Sequence, residues 1–239
     1  MSLTVHDDLS PFFSVIICTF NRAHLLPRAL DSLLAQTESS WEAIVVDDGS
    51  TDDTDAVVRR YMAEAPNLRY MLHSNRGLPL SRNAGIAAAV GDFVTFLDSD
   101  DYYMPDHLAS RRRLLAANPD VELLHGGCEI IGNPFVVDKD NPDRMLDLHD
   151  LPVGGTFVMP REFAVAIGGF PLVAYSLDGE LFERLVAEGR KIVETGLRTY
   201  VYDRTTPDSL CHIVADGGVE AILEYRRKGS WHSDRGKLN

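Results

Sequence analysis

Residues 41–54 read WEAIVVDDGSTDDT and decide the fold. The first seven of them, Trp41–Asp47, are rich in β-branched residues, which predicts a short strand buried on both faces. Asp48-Gly49-Ser50 then forms a polar turn. From about Thr51 the Thr and Asp side chains can cap the free N–H groups of a helix that runs to about Ala65. The stretch is therefore one strand–turn–helix unit.

The same unit recurs on both sides of this stretch. Further strands are predicted at 12–18, 68–72, 92–97 and 121–125, with helices at 24–36, 79–90 and 105–117. Repeated strand–helix units connect through right-handed crossovers, so the sequence predicts an α/β fold with a mostly parallel sheet flanked by helices. The second half is less regular. A loop-rich stretch at 126–155, in which a hairpin is one option, precedes short strands at 156–159 and 198–202, helices at 160–167 and 177–189, and a weak helix at 219–226.

Composition and charge exclude several classes of protein. The chain has 239 residues, with 23 Lys and Arg against 36 Asp and Glu, and a formal net charge of −13. This charge repels nucleic-acid backbones, so we expect no nucleic-acid partner. No apolar run reaches the ~18–20 residues of a membrane span, and MSLTVHDD lacks the features of a signal peptide. With three widely spaced cysteines, these features predict a cytoplasmic protein with no membrane span.

Polar side chains follow three predicted strands where each ends: Thr19-Phe20-Asn21, Asp47–Ser50 and Asp98–Asp101. Ligands bind beyond the carboxyl ends of parallel strands, so these side chains should meet at one edge of the sheet. Asp98 and Asp100 can divide their work between ligand hydroxyls and a hard divalent cation. Such a cation neutralises charge on a leaving diphosphate. An acidic surface turn and simple helix capping are the alternatives for these carboxylates.

Two arginine-containing stretches have both a functional and a structural explanation. Ser81-Arg82-Asn83 begins the third predicted helix, where N–H groups and a guanidinium can face an anion; an exposed arginine is the alternative. Arg111–Arg113 is most simply a solvated helix face. No GxxxxGK[ST] sequence occurs and no GxGxxG follows the first strand, which disfavours P-loop NTPases and dinucleotide dehydrogenases.

Five ordered motifs resemble those of glycosyltransferase family 2, whose fold is GT-A: SVIICTFNR (14–22), AIVVDDGSTDDT (43–54), Asn75-x-Gly77 with SRNAGI (81–86), FLDSDDYYMPDHL (96–108) and GGFPLVAYSLDGELFERL (168–185). The resemblance implies a single GT-A domain over 1–239. A Rossmann-like nucleotide-sugar-binding half spans about 12–125, an acceptor half about 126–215, and a C-terminal tail 216–239. It also implies inverting transfer of a sugar from a nucleotide-diphosphate sugar, UDP-sugar by default, to a hydroxyl acceptor.

The resemblance further implies a role for each matched residue. The residues that would bind the nucleotide sugar are Thr19, Asn21, Asp48, Arg82, Asn83, Asp98 and Ser99. Asp100 would ligate Mn²⁺ or Mg²⁺, and His212 would add a metal ligand, although a surface or core histidine is the alternative. Asp178 would be the general base that deprotonates the acceptor hydroxyl. Glu180 stands where the family often has a second acid.

Departures from the family pattern leave alternatives open. Cys18 stands where Pro is usual, Ser81 where Ala is common, and Leu177 replaces the Glu that usually precedes the base. A catalytically inactive nucleotide-sugar-binding or partner protein is therefore an alternative. A sugar-phosphate nucleotidyltransferase is remote, because CTFNRAHLL (18–26) holds no glycine. No Gln-x-x-Arg-Trp motif is present, which favours single addition. The acceptor would be a carbohydrate, a lipid-linked compound or a small molecule, and the protein a possible homodimer.

Overall fold

The computed structural model describes residues 10–206 and 209–228. The expectations about the first residues and about the tail beyond 228 concern parts of the chain outside those ranges. The elements of the first half are β1 (Phe13–Thr19), α1 (Leu26–Leu34), β2 (Trp41–Asp47), α2 (Thr54–Glu64), β3 (Leu68–Leu72), α3 (Leu78–Ala88), β4 (Phe93–Phe96), β5 (Tyr102–Tyr103), α4 (His107–Ala117) and β6 (Leu123–His125).

The second half contains shorter strands and four helices among the described residues. Its elements are β7 (Cys128–Ile131), β8 (Phe135–Val137), β9 (Met145–Asp147), β10 (Val158–Pro160), α5 (Arg161–Ala166), α6 (Leu177–Ala187), β11 (Ile192–Glu194), β12 (Tyr200–Asp203), α7 (Leu210–Gly217) and α8 (Glu220–Lys228). Within the described ranges, no helix is long and apolar enough to cross a membrane.

A seven-stranded sheet runs through both halves in the order β11-β6-β10-β4-β1-β2-β3. Strands β1 to β4 pair in parallel, whereas β10 lies antiparallel between β4 and β6. The predicted mostly parallel sheet with flanking helices is thus confirmed. Alternate residues of a strand point to opposite faces. Val15 and Ile17 accordingly pack against α1, α2 and α4, and Ile16 packs against α3, α5 and α6.

Two smaller sheets complete the second half; the sequence does not predict the three-stranded one, whereas a hairpin within 126–155 is among its expectations. Strands β5, β12 and β7 form a three-stranded sheet, and β8 and β9 pair as a hairpin. The solvated helix face predicted at Arg111–Arg113 is wrong for Arg111, which is completely buried. Its guanidinium donates to the carbonyl of Gly126 at 3.0 Å and so ties α4 to the end of β6.

The carboxyl ends of the first strands meet as expected. Thr19 at the end of β1 is in register with Asp47 at the end of β2, and the N–H of Asp48 donates to the carbonyl of Thr19 at 2.9 Å. Gly49 follows with a φ of +85°, and a Cβ there would lie 2.8 Å from the backbone nitrogen of Asn75. Only glycine fits this turn, which keeps the polar edge of the sheet compact.

Candidate active site

A cavity of about 800 Å³ opens at this edge of the sheet, between the two halves of the chain. Seven of the ten site residues predicted from the sequence line it: Thr19, Asp48, Arg82, Asp98, Ser99, Asp100 and Asp178. They come from the ends of β1, β2 and β4, from α3, and from the first turn of α6. The fold therefore gathers into one place side chains that are up to about 160 residues apart in the sequence.

Asp48 fixes a loop at its end of the cavity. Its two carboxylate oxygens accept the backbone N–H groups of Arg76 at 2.7 Å and Gly77 at 2.8 Å. The loop before α3 is thereby held against the end of β2. Close by, the hydroxyl of Thr19 is buried and has no hydrogen-bond partner within the described ranges. A buried polar atom of this kind is normally satisfied by water or a ligand.

Arg82 is a buried cation that lines the cavity. Its Nη2 donates to Asp98 Oδ1 at 2.8 Å, and its guanidinium lies against the rings of Phe96 at 5.4 Å and Phe170 at 4.9 Å. Burial opposes its charge, but the nearby carboxylates outweigh burial and raise the pKa of Arg82. Nη1 has no hydrogen-bond partner among residues 10–206 and 209–228. The side chain thus offers one unused donor to a bound anion.

The three carboxyl groups after β4 divide into two groups. Asp98 and Asp100 line the cavity, and Asp100 Oδ2 lies 3.3 Å from Arg22 Nη1. Asp101 instead points into the protein, where it accepts the Tyr200 hydroxyl at 2.5 Å and the Asp203 N–H at 2.9 Å. Burial, with the charges of Asp100 and Asp98, raises the pKa of Asp101 well above its usual value. Asp101 anchors the turn that presents the other two.

Asp178, the predicted base, lies in the first turn of α6, beside the short 3-10 helix Gly154–Thr156. Its Oδ2 accepts the N–H of Gly154 at 2.9 Å, which fixes the orientation of the carboxylate. Ser176, just before α6, has a left-handed backbone with φ of 53° and starts the helix at this angle. Glu180, the predicted second acid, forms an ion pair with Lys139 at 3.1 Å and so links α6 to the loop between β8 and β9.

Three predicted site residues do not line the cavity. Asn21 Oδ1 accepts the N–H of Thr51 at 2.8 Å and closes the turn after β1. The Asn83 amide both donates to the Phe170 carbonyl at 2.9 Å and accepts the Phe170 N–H at 2.8 Å, and so joins α3 to the segment before α6. On α7, His212 Nδ1 lies 2.6 Å from the Thr206 carbonyl. Only Nε2 of His212 is left for a metal.

Sequence reasoning missed two residues that hold the site together, Gly154 and Tyr200. Gly154 holds Asp178, and a Cβ on it would lie 2.7 Å from Arg82 Nη1 and 2.9 Å from Asp178 Cβ. The neighbouring Gly155 has no room for a Cβ either, because the Tyr200 hydroxyl would lie 2.2 Å away. The only sequence signal for these contacts is the Gly-Gly pair, which is equally typical of an ordinary turn.

The carboxylate oxygens in the cavity are suitable ligands for a hard divalent cation. Asp98 and Asp100 bring carboxylate oxygens, the ligands that Mg²⁺ and Mn²⁺ prefer. Within the part of the chain that the structure describes, no group of three His, Cys, Asp or Glu side chains is arranged to hold a metal. A cation at this turn would therefore take some of its ligands from a bound substrate, such as the oxygens of a diphosphate.

Comparison with known protein families and sequences shows what the chain is similar to. Residues 14–144 match the family model described as glycosyl transferase family 2. The chain is 38% identical over 122 residues to the GalNAc(5)-diNAcBac-PP-undecaprenol beta-1,3-glucosyltransferase of Campylobacter jejuni, covering 50% of this chain and 39% of that protein. The matches to the curated relatives that are most similar span less than two thirds of those proteins' length.

Solved structures share the fold at lower sequence identity. S. aureus TarS 1-349 in complex with UDP-GlcNAc matches with a TM-score of 0.68 and 22% identity, covering 93% of this chain and 67% of that one. The mannosyltransferase PcManGT from Pyrobaculum calidifontis, in complex with GDP-Man and Mn²⁺, matches with a TM-score of 0.67 and 22% identity, covering 95% and 66%. The architecture is thus that of glycosyltransferases.

Proposed function

Because the chain belongs to glycosyltransferase family 2, we propose that it transfers a sugar from a nucleotide-diphosphate sugar to a hydroxyl group of an acceptor. The observation that carries this proposal is the set of side chains that line one cavity. Asp98 and Asp100 lie in it together with Asp178, and Arg82 lies near both Asp98 and Asp178. A donor diphosphate and an acceptor hydroxyl have suitable partners there.

The donor would bind at the end of the cavity formed by β1, β2 and β4. The unsatisfied Thr19 hydroxyl, the loop fixed by Asp48, and Ser99 are available to the base and ribose. We propose a UDP-sugar as donor. The solved relatives bear on this choice only in part, since TarS is described with UDP-GlcNAc and PcManGT with GDP-Man.

The proposed reaction needs a divalent cation, Mn²⁺ or Mg²⁺, with Asp100 as its main protein ligand. Asp98 would bind the ribose or sugar beside it, and His212 would add Nε2. When bound, such a cation neutralises charge on the leaving diphosphate. Arg82 contributes to the same end, because its unused Nη1 donor can bind an anionic oxygen in this buried setting.

Asp178 would act as the general base in a single displacement. Its carboxylate takes the proton of the acceptor hydroxyl while that oxygen forms a bond to the anomeric carbon. The bond from this carbon to the diphosphate oxygen breaks, and the nucleoside diphosphate leaves with the electron pair. One in-line displacement inverts the anomeric centre. The Gly154 N–H keeps the second oxygen of Asp178 in place during the transfer.

The test compares Asp178→Asn with Asp100→Asn, with Asp55→Asn on the exposed face of α2 as the control. Nucleotide binding is measured by thermal unfolding with UDP or GDP, with and without Mn²⁺, and turnover by nucleoside diphosphate release from a panel of sugar donors. We expect Asp178→Asn to keep Mn²⁺-dependent nucleotide binding and to lose about 10²–10⁴-fold in turnover. Asp100→Asn should lose the Mn²⁺-dependent binding. Full turnover in both variants would contradict the mechanism.

A second candidate function follows from Leu177, which replaces the acid that usually precedes the base in this family. A protein of the same fold could bind a nucleotide sugar without transferring it. Slow hydrolysis of the sugar donor distinguishes the two candidates. A transferase releases sugar slowly without an acceptor, because water takes the acceptor's place, whereas a protein that only binds the nucleotide sugar does not. Nucleotide binding without any hydrolysis would favour the binding protein. A cytoplasmic location and a homodimer stay predictions.

A further inference from the structure

We infer that His73 is a positioning residue for the donor nucleoside, because it lies between Asp48 and Ser81 and fixes the loop that joins β3 to α3. The inference rests on the proposed function, since it assigns a further residue to the donor end of the same site. His73 directly follows β3, which runs parallel to β2 and ends at the same edge of the sheet. Its side chain is 14% exposed and does not line the cavity. Its effect on a ligand would therefore pass through its neighbours.

One ring nitrogen of His73 faces the carboxylate of Asp48. Nδ1 lies 3.3 Å from Asp48 Oδ1 and 2.8 Å from the carbonyl oxygen of Ser74. A carbonyl oxygen can only accept a hydrogen bond, so Nδ1 carries a proton and is the donor. This N–H stands beside the carboxylate that already holds the backbone of Arg76 and Gly77. A carboxylate has about four acceptor sites, so these three neighbours leave room for a donor group of a ligand.

The other ring nitrogen faces the first turn of α3. Nε2 lies 3.5 Å from the hydroxyl of Ser81, a residue that is completely buried. The same hydroxyl lies 3.2 Å from the carbonyl of Gly77. With its proton on Nδ1, the neutral ring has an acceptor at Nε2 to which a serine hydroxyl can donate. Ser81 stands where alanine is common in the family, and the contact with His73 gives this departure a role.

These contacts hold the loop of residues 74–77 at both of its ends. Asp48 binds the N–H groups at its centre and end, His73 comes directly before it, and Ser81 follows in α3. Arg76, Gly77 and the next residues, 78–80, line the cavity. A loop that is fixed before its ligand arrives loses less conformational freedom on binding. Loss of the imidazole should therefore weaken binding at the donor end and leave the transfer step unchanged.

The effect of His73 should concern the nucleoside rather than the diphosphate. The groups proposed for the diphosphate are Nη1 of Arg82 on α3 and a cation at Asp100, in the turn after β4. His73 follows β3 instead, and the loop that it fixes belongs to the end of the cavity proposed for the base and ribose. A nucleoside without phosphates should therefore report the loss of His73 as fully as its diphosphate does.

The test measures binding of uridine and UDP to the whole chain by calorimetry, with and without Mn²⁺, and guanosine and GDP form a second pair. His73→Ala should weaken binding of the nucleoside and of its diphosphate by the same factor, about tenfold. The effect of Mn²⁺ on the diphosphate should remain. His73→Asn should restore most of the affinity, because its amide nitrogen can donate from the position of Nδ1. In slow donor hydrolysis, KM should rise and kcat should stay the same.

Matched variants separate this role from a general loss of structure. Ser81→Ala is expected to fold, because alanine is common at this position in the family, and it should weaken nucleoside binding. Combined with His73→Ala, it should cause no further loss, because the two side chains act as one unit. Ser74→Ala removes an exposed side chain from the same loop and should leave every affinity unchanged. Additive losses in the double variant, or a loss confined to the diphosphates, would overturn the inference.

Failure of the proposed function has a different signature. If the wild type binds a nucleoside and its diphosphate through His73 but hydrolyses no donor, the transferase proposal fails and the role of His73 stands. If the wild type shows Mn²⁺-dependent binding and hydrolysis, and His73→Ala behaves in the same way, the inference about His73 fails alone. If the wild type binds neither pair, both fail.

Discussion

Tyr200 is the residue that joins the two sides of the candidate site. Its hydroxyl donates to Asp101 at 2.5 Å and accepts the backbone N–H of Asp98 at 3.4 Å. Its ring occupies the space beside Gly155, next to the glycine that holds Asp178. The position of the acidic turn and the position of the predicted base therefore depend on one buried side chain.

Replacement of this hydroxyl gives a prediction for stability. Tyr200→Phe removes one of the two hydrogen-bond donors of the buried Asp101 carboxyl and leaves only the Asp203 N–H, so the free energy of unfolding should fall by about 1–3 kcal/mol. Urea unfolding followed by circular dichroism measures the change. Tyr202→Phe, two residues along β12, is the matched control because its hydroxyl meets the weakly bonding thiol of Cys211 at 3.3 Å. If both variants lose the same free energy of unfolding, the hydrogen bond to Asp101 contributes no more than the contact with Cys211.

The sequence predicts the charged residues of the site better than the residues that position them. Asp48, Asp98, Asp100 and Asp178 stand in motifs next to predicted element ends, and all four line the cavity. Tyr200 binds Asp101 across 99 positions of the chain, and no local pattern records such a contact. The position of His212 in its motif likewise does not reveal that its Nδ1 lies 2.6 Å from the Thr206 carbonyl.

Element length decides how well the secondary structure is predicted. The first-half strands β1, β2 and β3 have 5–7 residues and alternate with helices of 9–11 residues, which is long enough for hydrophobic periodicity to be read. Strands β5 and β11 have only 2 and 3 residues, and their pairing depends on partners distant in sequence. The antiparallel pairing of β10 between β4 and β6 likewise depends on tertiary contacts, and the residues of β10 alone do not predict it.

The first residue of α4 gives a prediction for pH dependence. His107 is fully buried, its ring stacks on Tyr103 at 3.9 Å, and its Nδ1 lies 2.9 Å from the Thr199 hydroxyl. Burial, with the charge of Arg111 one turn later, lowers the pKa of His107 well below 6.5. Below about pH 6.5 the unfolded chain binds a proton that the folded chain does not. The free energy of unfolding should then fall by about 1.4 kcal/mol per pH unit.

The measurement compares urea unfolding of the wild type and His107→Gln at pH 7.5, 6.5 and 5.5. The wild type should lose more stability than the variant between pH 6.5 and 5.5, because glutamine does not titrate. The control is His24→Gln, since His24 is exposed and its removal should keep the wild-type slope. An identical slope in the wild type and His107→Gln would refute the assignment.

At the scale of the whole molecule, the central sheet binds the two halves together. β10 lies between β4 and β6, and β11 pairs with the other edge of β6, so the strands of the first half share their sheet with two strands of the second half. The family match ends at residue 144, one residue before β9 begins. The segment that carries the family's sequence signal thus lacks part of its own sheet.

A fragment of residues 10–144 should therefore fail to fold cooperatively. Without β10, strands β4 and β6 lose the strand between them, and their apolar side chains and backbone groups become exposed. Urea unfolding and size-exclusion chromatography of the fragment, beside the full chain, measure this. We expect a broad, non-cooperative transition and association in the fragment. A monomeric fragment with a sharp transition would show that the first half is stable by itself.

The pairing of β8 with β9 alone has a consequence for how this enzyme fold can diversify. The hairpin belongs to neither larger sheet, so its cavity-facing positions can be exchanged without altering the strand order that holds the donor end. Grafting everything after residue 125 from another family member would instead import a foreign central strand. A chimera that exchanges only residues 135–147 is therefore the smallest change that alters the cavity and keeps the central sheet. Substitutions confined to this hairpin are also a route by which related enzymes diverge in specificity.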